Sequence, residues 1–276
     1  MSLNSINTNV GAMIALQNLN VTNQQLNQVQ NRINTGLKIS SAKDNGAIWA
    51  IAQNQRSDVS ALDSVKDSVQ RAQSTVDVAI SAGETVSDLL NQMKAKALAG
   101  ADVSLDADAR SDLNADFVAL RDQLAKVISS ASFNGKNLLE SGATSLFALA
   151  DATGTSKLTV QAQVMALGGS IVSVGATASF ATATAASTQL TAINSSIDKV
   201  NAAVAKLGTS SKALQTHFDF VTKMQDTMTA GIGNLVDADV AKESATLQAL
   251  QTKQQLGIQA LSIANSSTSS VLSLFR

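Results

Sequence analysis

Residues 190–235, LTAINSSIDKVNAAVAKLGTSSKALQTHFDFVTKMQDTMTAGIGNL, carry Leu190, Ile193, Ile197, Val200, Val204, Leu207, Ser211, Leu214, Phe218, Val221, Gln225, Met228, Ile232 and Leu235 at alternating spacings of three and four. That spacing keeps every one of these side chains on a single face of a helix, as in a coiled-coil seam. At 1.5 Å per residue the seam would run on the order of 70 Å, far beyond a compact small domain, so the sequence predicts a rod.

Working outward, a second seam is as regular: Leu62, Val65, Val69, Ala72, Val76, Ala79, Gly83, Val86, Leu90, Met93, Ala97, with Ile48 and Ile51 preparing its start. A shorter third reads Leu113, Phe117, Leu120, Leu124, Val127, Ala131. Near the N-terminus Leu16, Leu19, Leu26 and Ile33 follow Ile6, Val10 and Met13, with Asn23 and Gln30 at interior positions. After Leu235 the phase slips by one residue, and a last seam runs Val236, Val240, Leu247, Leu250, Gln254, Gly257, Leu261, Ala264, Thr268, Val271. Breaks are expected at Gly36 to Gly46 and beside Gly231 and Gly233, with Asp44 capping the helix after the first break and Asp237 or Asp239 the helix after the second. Residues 133–187 lose the helical period. There Leu158, Val160, Ala162 and Val164 alternate, which predicts a β-hairpin with Ser145–Ala150 opposite and a turn at Asp151-Ala-Thr-Gly. The fold class is therefore mainly α, with long antiparallel coiled-coil helices forming a rod and a small β-hairpin region.

Composition points the same way. The 276 residues contain no Pro, Cys or Tyr, only 3% aromatics and only 15% charged residues. Without Pro nothing must interrupt a helix. Without Cys there is no disulfide, thiolate nucleophile or zinc-thiolate site. A net charge of -1 and the lack of any basic run argue against nucleic acid as a partner. The longest apolar run, Ala47 to Ala52, falls far short of the roughly twenty residues a membrane span needs, and no secretory signal core is visible. The single histidine, His217, has no second His or Cys to complete a triad or metal set, so it reads as structural. Asp237, Asp239 and Glu243 read as helix-start carboxylates rather than a cation site. No cofactor, metal or catalytic residue is expected.

The first helix is unusual in its polar face. Asn18, Asn20, Asn23, Gln24, Gln25, Asn27, Gln28, Gln30 and Asn31 crowd it, and only Arg32 and Lys38 are charged before Lys43. An exposed helix ordinarily carries Lys and Glu. Neutral amides can exchange hydrogen bonds with copies of themselves without the cost of burying ions, which suits a surface packed against neighbouring subunits or lining a narrow channel.

Leu3-Asn-Ser-Ile-Asn-Thr-Asn, Arg32-Ile-Asn-Thr-Gly, Ala42-Lys-Asp-Asn-Gly-Ala-Ile, Phe133-Asn-Gly-Lys-Asn-Leu-Leu, Asp237-Ala-Asp-Val-Ala-Lys-Glu-Ser, Gln254-Gln-Leu-Gly-Ile-Gln-Ala-Leu and Val271-Leu-Ser-Leu-Phe-Arg276 resemble, in order and spacing, bacterial flagellins of the short alphaproteobacterial type. The resemblance implies a filament subunit with an inner domain of paired terminal helices, residues 1–44 and 236–276. A helical middle domain would comprise 45–140 and 188–235, and 141–187 would be a reduced outer region. Inner-domain packing and polymerisation would then fall to Leu3, Ile6, Val10, Met13, Leu16, Leu19, Leu26 and Ile33, with Val240, Leu247, Leu250, Leu261, Val271, Leu272, Leu274 and Phe275.

The implied partners are further copies of the chain in a helical homopolymer, paralogous flagellins, a filament cap protein, hook-filament junction proteins, and an export chaperone on about Val240 to Arg276. Export unfolded through the flagellar type III apparatus, without a cleaved signal, would place the protein outside the cell, with no membrane insertion and no nucleic acid. A hook-filament junction protein and another coiled-coil adaptor remain as alternatives, separable because only a filament subunit should form long uniform tubes. Asn91-Gln-Met-Lys-Ala-Lys-Ala-Leu98 departs from the Arg-rich stretch read by the vertebrate flagellin receptor at Gln92 and Lys96, so weak recognition is expected. Surface Ser and Thr of the outer region, among them Thr153, Thr155, Ser170, Ser173, Thr177 and Thr182, are candidates for O-linked sugars. The intact mass of protein from native filaments should accordingly exceed the 28.4 kDa of the bare chain; a matching mass would exclude the modification.

Overall fold

A computed structural model describes residues 8–273 of the chain, and side-chain environments through residue 266. In order come α1 (Val10–Thr35), α2 (Gly46–Gly100), α3 (Ala107–Ser130), β1 (Ser132–Phe133), β2 (Lys136–Asn137), β3 (Leu146–Leu149), β4 (Lys157–Val160), α4 (Ala183–Val236) and α5 (Val240–Ser273). The chain divides into two compact units, the first Met1–Ser57 with Thr227–Arg276 and the second Asp58–Asp226. Each of the five seams read from the sequence lies on a helix, except that Ala131 follows the end of α3 and Val236 ends α4 instead of opening α5. The first helix break falls at the expected Gly36 to Gly46 stretch, and the second sits at residues 237–239, just after the phase slip, rather than at Gly231 and Gly233, which remain helical.

In the second unit α2 and α4 run antiparallel in strict register. Gln225 donates to the Asp63 carboxylate, Gln73 to Gln215, Ser211 to the Asp77 carboxylate, and Ser87 to Asn201. As one partner advances from 63 to 87, the other retreats from 225 to 201, residue for residue. Beside this polar edge the whole α2 seam from Leu62 to Ala97 is buried, as are Ile193, Val200, Leu207, Leu214 and Val221 of α4. α3 adds Phe117, Leu124 and Ile128; its last turn buries Ile128, with Val127 only half-buried.

Two hairpins follow α3. The sequence predicted β3 and β4, whose register pairs Leu146 with Val160 and Leu149 with Lys157. The strand ends at Val160, short of the expected Val164, because the next amides turn elsewhere: Gln163 N donates to Leu138 O and Met165 N to Leu139 O. The hairpin is held by Leu149 N to Ser68 Oγ at 3.1 Å and by His217 Nε2 to Ala150 O at 3.0 Å, so the lone histidine has a structural bond.

The β1–β2 hairpin was not foreseen, although its signal is local. Asn134 and Gly135 have φ of 49° and 73°, the left-handed conformations that an Asn-Gly hairpin turn requires. Asn137 is buried, donates to Ile128 O at the end of α3 and accepts from Leu139 N and Glu140 N. The Phe133-Asn-Gly-Lys-Asn-Leu-Leu stretch is thus a turn, a cap for α3 and two fully buried leucines.

From residue 161 to 182 the chain is irregular yet buries Met165, Val172, Val174 and Phe180. Its backbone is satisfied by side chains: Asn114 Oδ1 accepts from Phe180 N, and Ser196 Oγ from Ser173 N. The Phe180 ring packs edge-on to Phe117 at 5.2 Å.

Helix glycines in α2 and α4 divide by environment. A Cβ on Gly83 would lie 2.7 Å from Val204 Cγ2, on a branched side chain with little freedom to turn, whereas one on Gly208 would meet nothing within 4 Å. Gly83→Ala should therefore cost about 1–3 kcal/mol through overpacking, outweighing its gain in helix propensity. Gly208→Ala should stabilise by up to about 1 kcal/mol. Thermal melting of the monomer should show shifts of opposite sign.

Candidate polymerisation surface

In the first unit α1 and α5 pair antiparallel. Asn9 Oδ1 caps α1 by accepting from Ala12 N, and its Nδ2 donates across to Ala264 O at 2.7 Å. Gln254 Nε2 donates to Asn23 Oδ1 at 2.7 Å, and Arg32 pairs with Glu243 at 3.2 Å. Leu26, Val29 and Leu250 form the buried cluster, with Ile33 and Leu247 packed against it. Thr22 is also buried; its hydroxyl donates back to Asn18 O, so no donor is stranded.

Several residues expected at this packing surface take up different places. Leu19, Leu26, Ile33, Leu247, Leu250 and Leu261 are buried or half-buried. Val10, Met13, Leu16 and Val240 are exposed, Met13 to 63%. Ile14 and Val21 on α1, and Leu256, Ile258 and Ile263 on α5, are likewise exposed. Leu3, Ile6, Leu274 and Phe275 lie outside the described residues, as do the side chains of Val271 and Leu272. Thr22 and Val29 were missed. They complete the run Leu19, Thr22, Leu26, Val29, Ile33 at alternating three and four, which is legible once Thr is admitted to a seam.

The two connections between helices are stitched to each other. Gly36 ends α1 in the left-handed conformation. Lys38 N then donates to Val236 O at 2.7 Å, Ala238 N to Gly36 O at 2.9 Å, and Leu37 bridges Asp237. Asp44 does not cap α2; Asn45 does, accepting from Ile48 N. The Asp44 carboxylate instead gathers the N–H and hydroxyl of both Ser40 and Ser41 at 3.0–3.2 Å. At the second break Asp239 caps α5, accepting from Ala241 N and Lys242 N. The acidic trio near residue 240 thus serves a bridge, a cap and an ion pair.

Among the described residues there is no group of three or more His, Cys, Asp or Glu that could hold a metal, and no helix long and apolar enough to cross a membrane. The fold and this surface are those of a structural protein: long paired helices that carry exposed apolar side chains. Residues 6–144 match the bacterial flagellin N-terminal helical region, and residues 190–275 the bacterial flagellin C-terminal helical region. Flagellin FljM of Caulobacter vibrioides is 57% identical over the full length of both chains, and a flagellin of Brucella melitensis is 36% identical over 99% of each. A solved flagellar hook-associated protein structure from Vibrio parahaemolyticus shares the fold, with a TM-score of 0.56 at 15% identity, over 70% of this chain and 100% of that one. The chain belongs to the flagellin family, and it is a structural subunit of the bacterial flagellar filament that associates with copies of itself, not an enzyme.

Within the linker, the Ser41 and then the Ser40 amide hydrogen bonds hold the Asp44 carboxyl below its ordinary value of 3.8. A depressed carboxyl contributes its stabilisation above its unfolded pKa and loses it as pH falls through the lower folded value. The linker should therefore stay closed at neutral pH and loosen below about pH 3.8. Amide exchange at Ser40 and Ser41, compared with Asp44→Asn at neutral pH, checks this; unchanged protection in the variant would refute it.

Proposed function

We propose that the terminal helices of this flagellin form the inner part of the filament and complete their folding only when neighbouring subunits cover them. The observation that carries this reading is the imbalance in the first unit. Three residues make up its buried α1–α5 apolar cluster, while Val10, Met13, Ile14, Leu16, Val21, Leu256, Ile258 and Ile263 stand exposed. Ordering each residue costs roughly 1–2 kcal/mol of backbone entropy, which so small a core offsets poorly. Added contacts from other copies would supply the remainder.

The same surplus supports the finer partners. Exposed apolar side chains along α5 give an export chaperone reason to hold about Val240 to Arg276 before assembly. Passage unfolded through the type III apparatus without a cleaved signal, growth beneath a cap protein, attachment through hook-filament junction proteins and an extracellular location complete the proposal. Paralogous flagellins would join the same polymer through the same helices. For O-linked sugars, exposure favours Ser170 and Thr177, whose hydroxyls make no hydrogen bond among those described. By contrast Thr153 and Thr155 bond to each other, Ser173 bonds to Ala192 O and Thr182 caps α4.

Limited proteolysis tests the coupling of folding to assembly. Monomer should be trimmed quickly to a core of about residues 45–235 that no longer polymerises, and filament should resist. Monomer ends as resistant as filament ends, or a trimmed core that still forms normal filaments, would overturn it.

A further inference from the structure

The chain offers an oxidant few targets, since it has no Cys, no Tyr, one Trp and six methionines. Burial divides those thioethers. Met93 and Met165 are fully enclosed, and Met224 and Met228 are half-buried. Met13 on α1 is 63% exposed, and it is the one exposed methionine among the described residues. Its own helix pair leaves it uncovered. At roughly 100° per residue, Met13 lies about 160° from the mean direction of Leu19, Thr22, Leu26, Val29 and Ile33, the stripe of α1 that packs toward α5. Val10, Ile14, Leu16 and Gln17 lie beside it around one shallow concavity. Asn9, one turn earlier, is already committed, its Oδ1 accepting from Ala12 N and its Nδ2 donating to Ala264 O.

We propose that Met13 is an oxidation site whose sulfoxide keeps a subunit out of the filament. This rests on the reading that the terminal helices polymerise, which covers the apolar stripe holding Met13. The reaction needs a two-electron oxidant such as hydrogen peroxide. The thioether sulfur bonds to one peroxide oxygen, the O–O bond breaks and the other oxygen leaves as water, so sulfur gives up the two electrons that peroxide gains. The product exchanges a flexible apolar side chain for a polar, chiral one. Its oxygen accepts hydrogen bonds from water while the subunit is free, and covering it among apolar neighbours forfeits them. Met13 is thus reactive in the free subunit and protected once neighbouring copies enclose it. Reduction by methionine sulfoxide reductases reverses the change.

A partly oxidised pool of the unsubstituted chain tests this. Monomer is treated with hydrogen peroxide, allowed to polymerise and sedimented, and peptide masses from pellet and supernatant are compared. Sulfoxide at Met13 should form ahead of any at Met93 or Met165. It should be enriched about tenfold in the supernatant, the equivalent of 1.4 kcal/mol of lost assembly energy. Filaments given the same peroxide should gain it far more slowly than monomer does. Treating the oxidised supernatant with the reductases MsrA and MsrB should return it to the polymerising fraction. Met13 sulfoxide that divides equally between pellet and supernatant overturns the proposal while leaving polymerisation through the terminal helices intact. Oxidation of Met13 as fast in filaments as in monomer overturns it as well, since the side chain is then uncovered. If the untreated chain forms no filaments, the underlying reading fails instead. The polar variant Met13→Gln gives a check without oxidant: its critical concentration should rise by a similar factor, and an unchanged value counts against the proposal.

Discussion

The register between α2 and α4 is the constraint on which the second unit depends. Polar pairs along one edge of the seam fix it, from Asp63 with Gln225 to Ser87 with Asn201. A slip of one residue would rotate the buried stripe of each helix by about 100° and bring charged positions inward. Hydrophobic burial supplies the driving force, but it is non-directional. Side-chain hydrogen bonds at defined positions, and the close approach of Gly83 to Val204, select one alignment among several that would bury similar area.

That scaffold gives the shorter elements something to hold. The β3–β4 hairpin is a two-stranded ribbon, marginal by itself. It is fastened to α2 through Ser68 and to α4 through His217. The irregular strap of residues 161–182 has no ladder of its own, and its amides are taken up by Leu138, Leu139, Asn114 and Ser196. Buried irregular backbone persists where such partners exist.

The first unit follows a different logic. Its helices make specific polar contacts with each other, yet much of their apolar surface remains outside. In a monomeric protein this would be an aggregation liability. In a filament subunit it is the material of the interface, and the lack of charge along α1 before Arg32 lets that surface be covered without stranding ions. The stitched linkers, with Asp44 holding Ser40 and Ser41, tie the entries of both terminal helices together at one point.

The sequence alone determined the five helices, the β3–β4 hairpin and the family, because a three-four seam is a local pattern repeated many times and each repeat adds evidence. Asn134-Gly135 carried a readable turn that the helical pattern overshadowed. Only the tertiary structure decided which apolar residues of α1 turn inward. Leu16 and Leu19 look equivalent in sequence, but α5 can cover only one side of α1, so Leu19 is enclosed and Leu16 is left out. The cap at Asn45 rather than Asp44, and the division of labour among Asp237, Asp239 and Glu243, likewise depend on which backbone donors and guanidinium the fold brings within hydrogen-bond reach. Spacing fixes the face of a helix, whereas what lies opposite that face is set by distant parts of the chain.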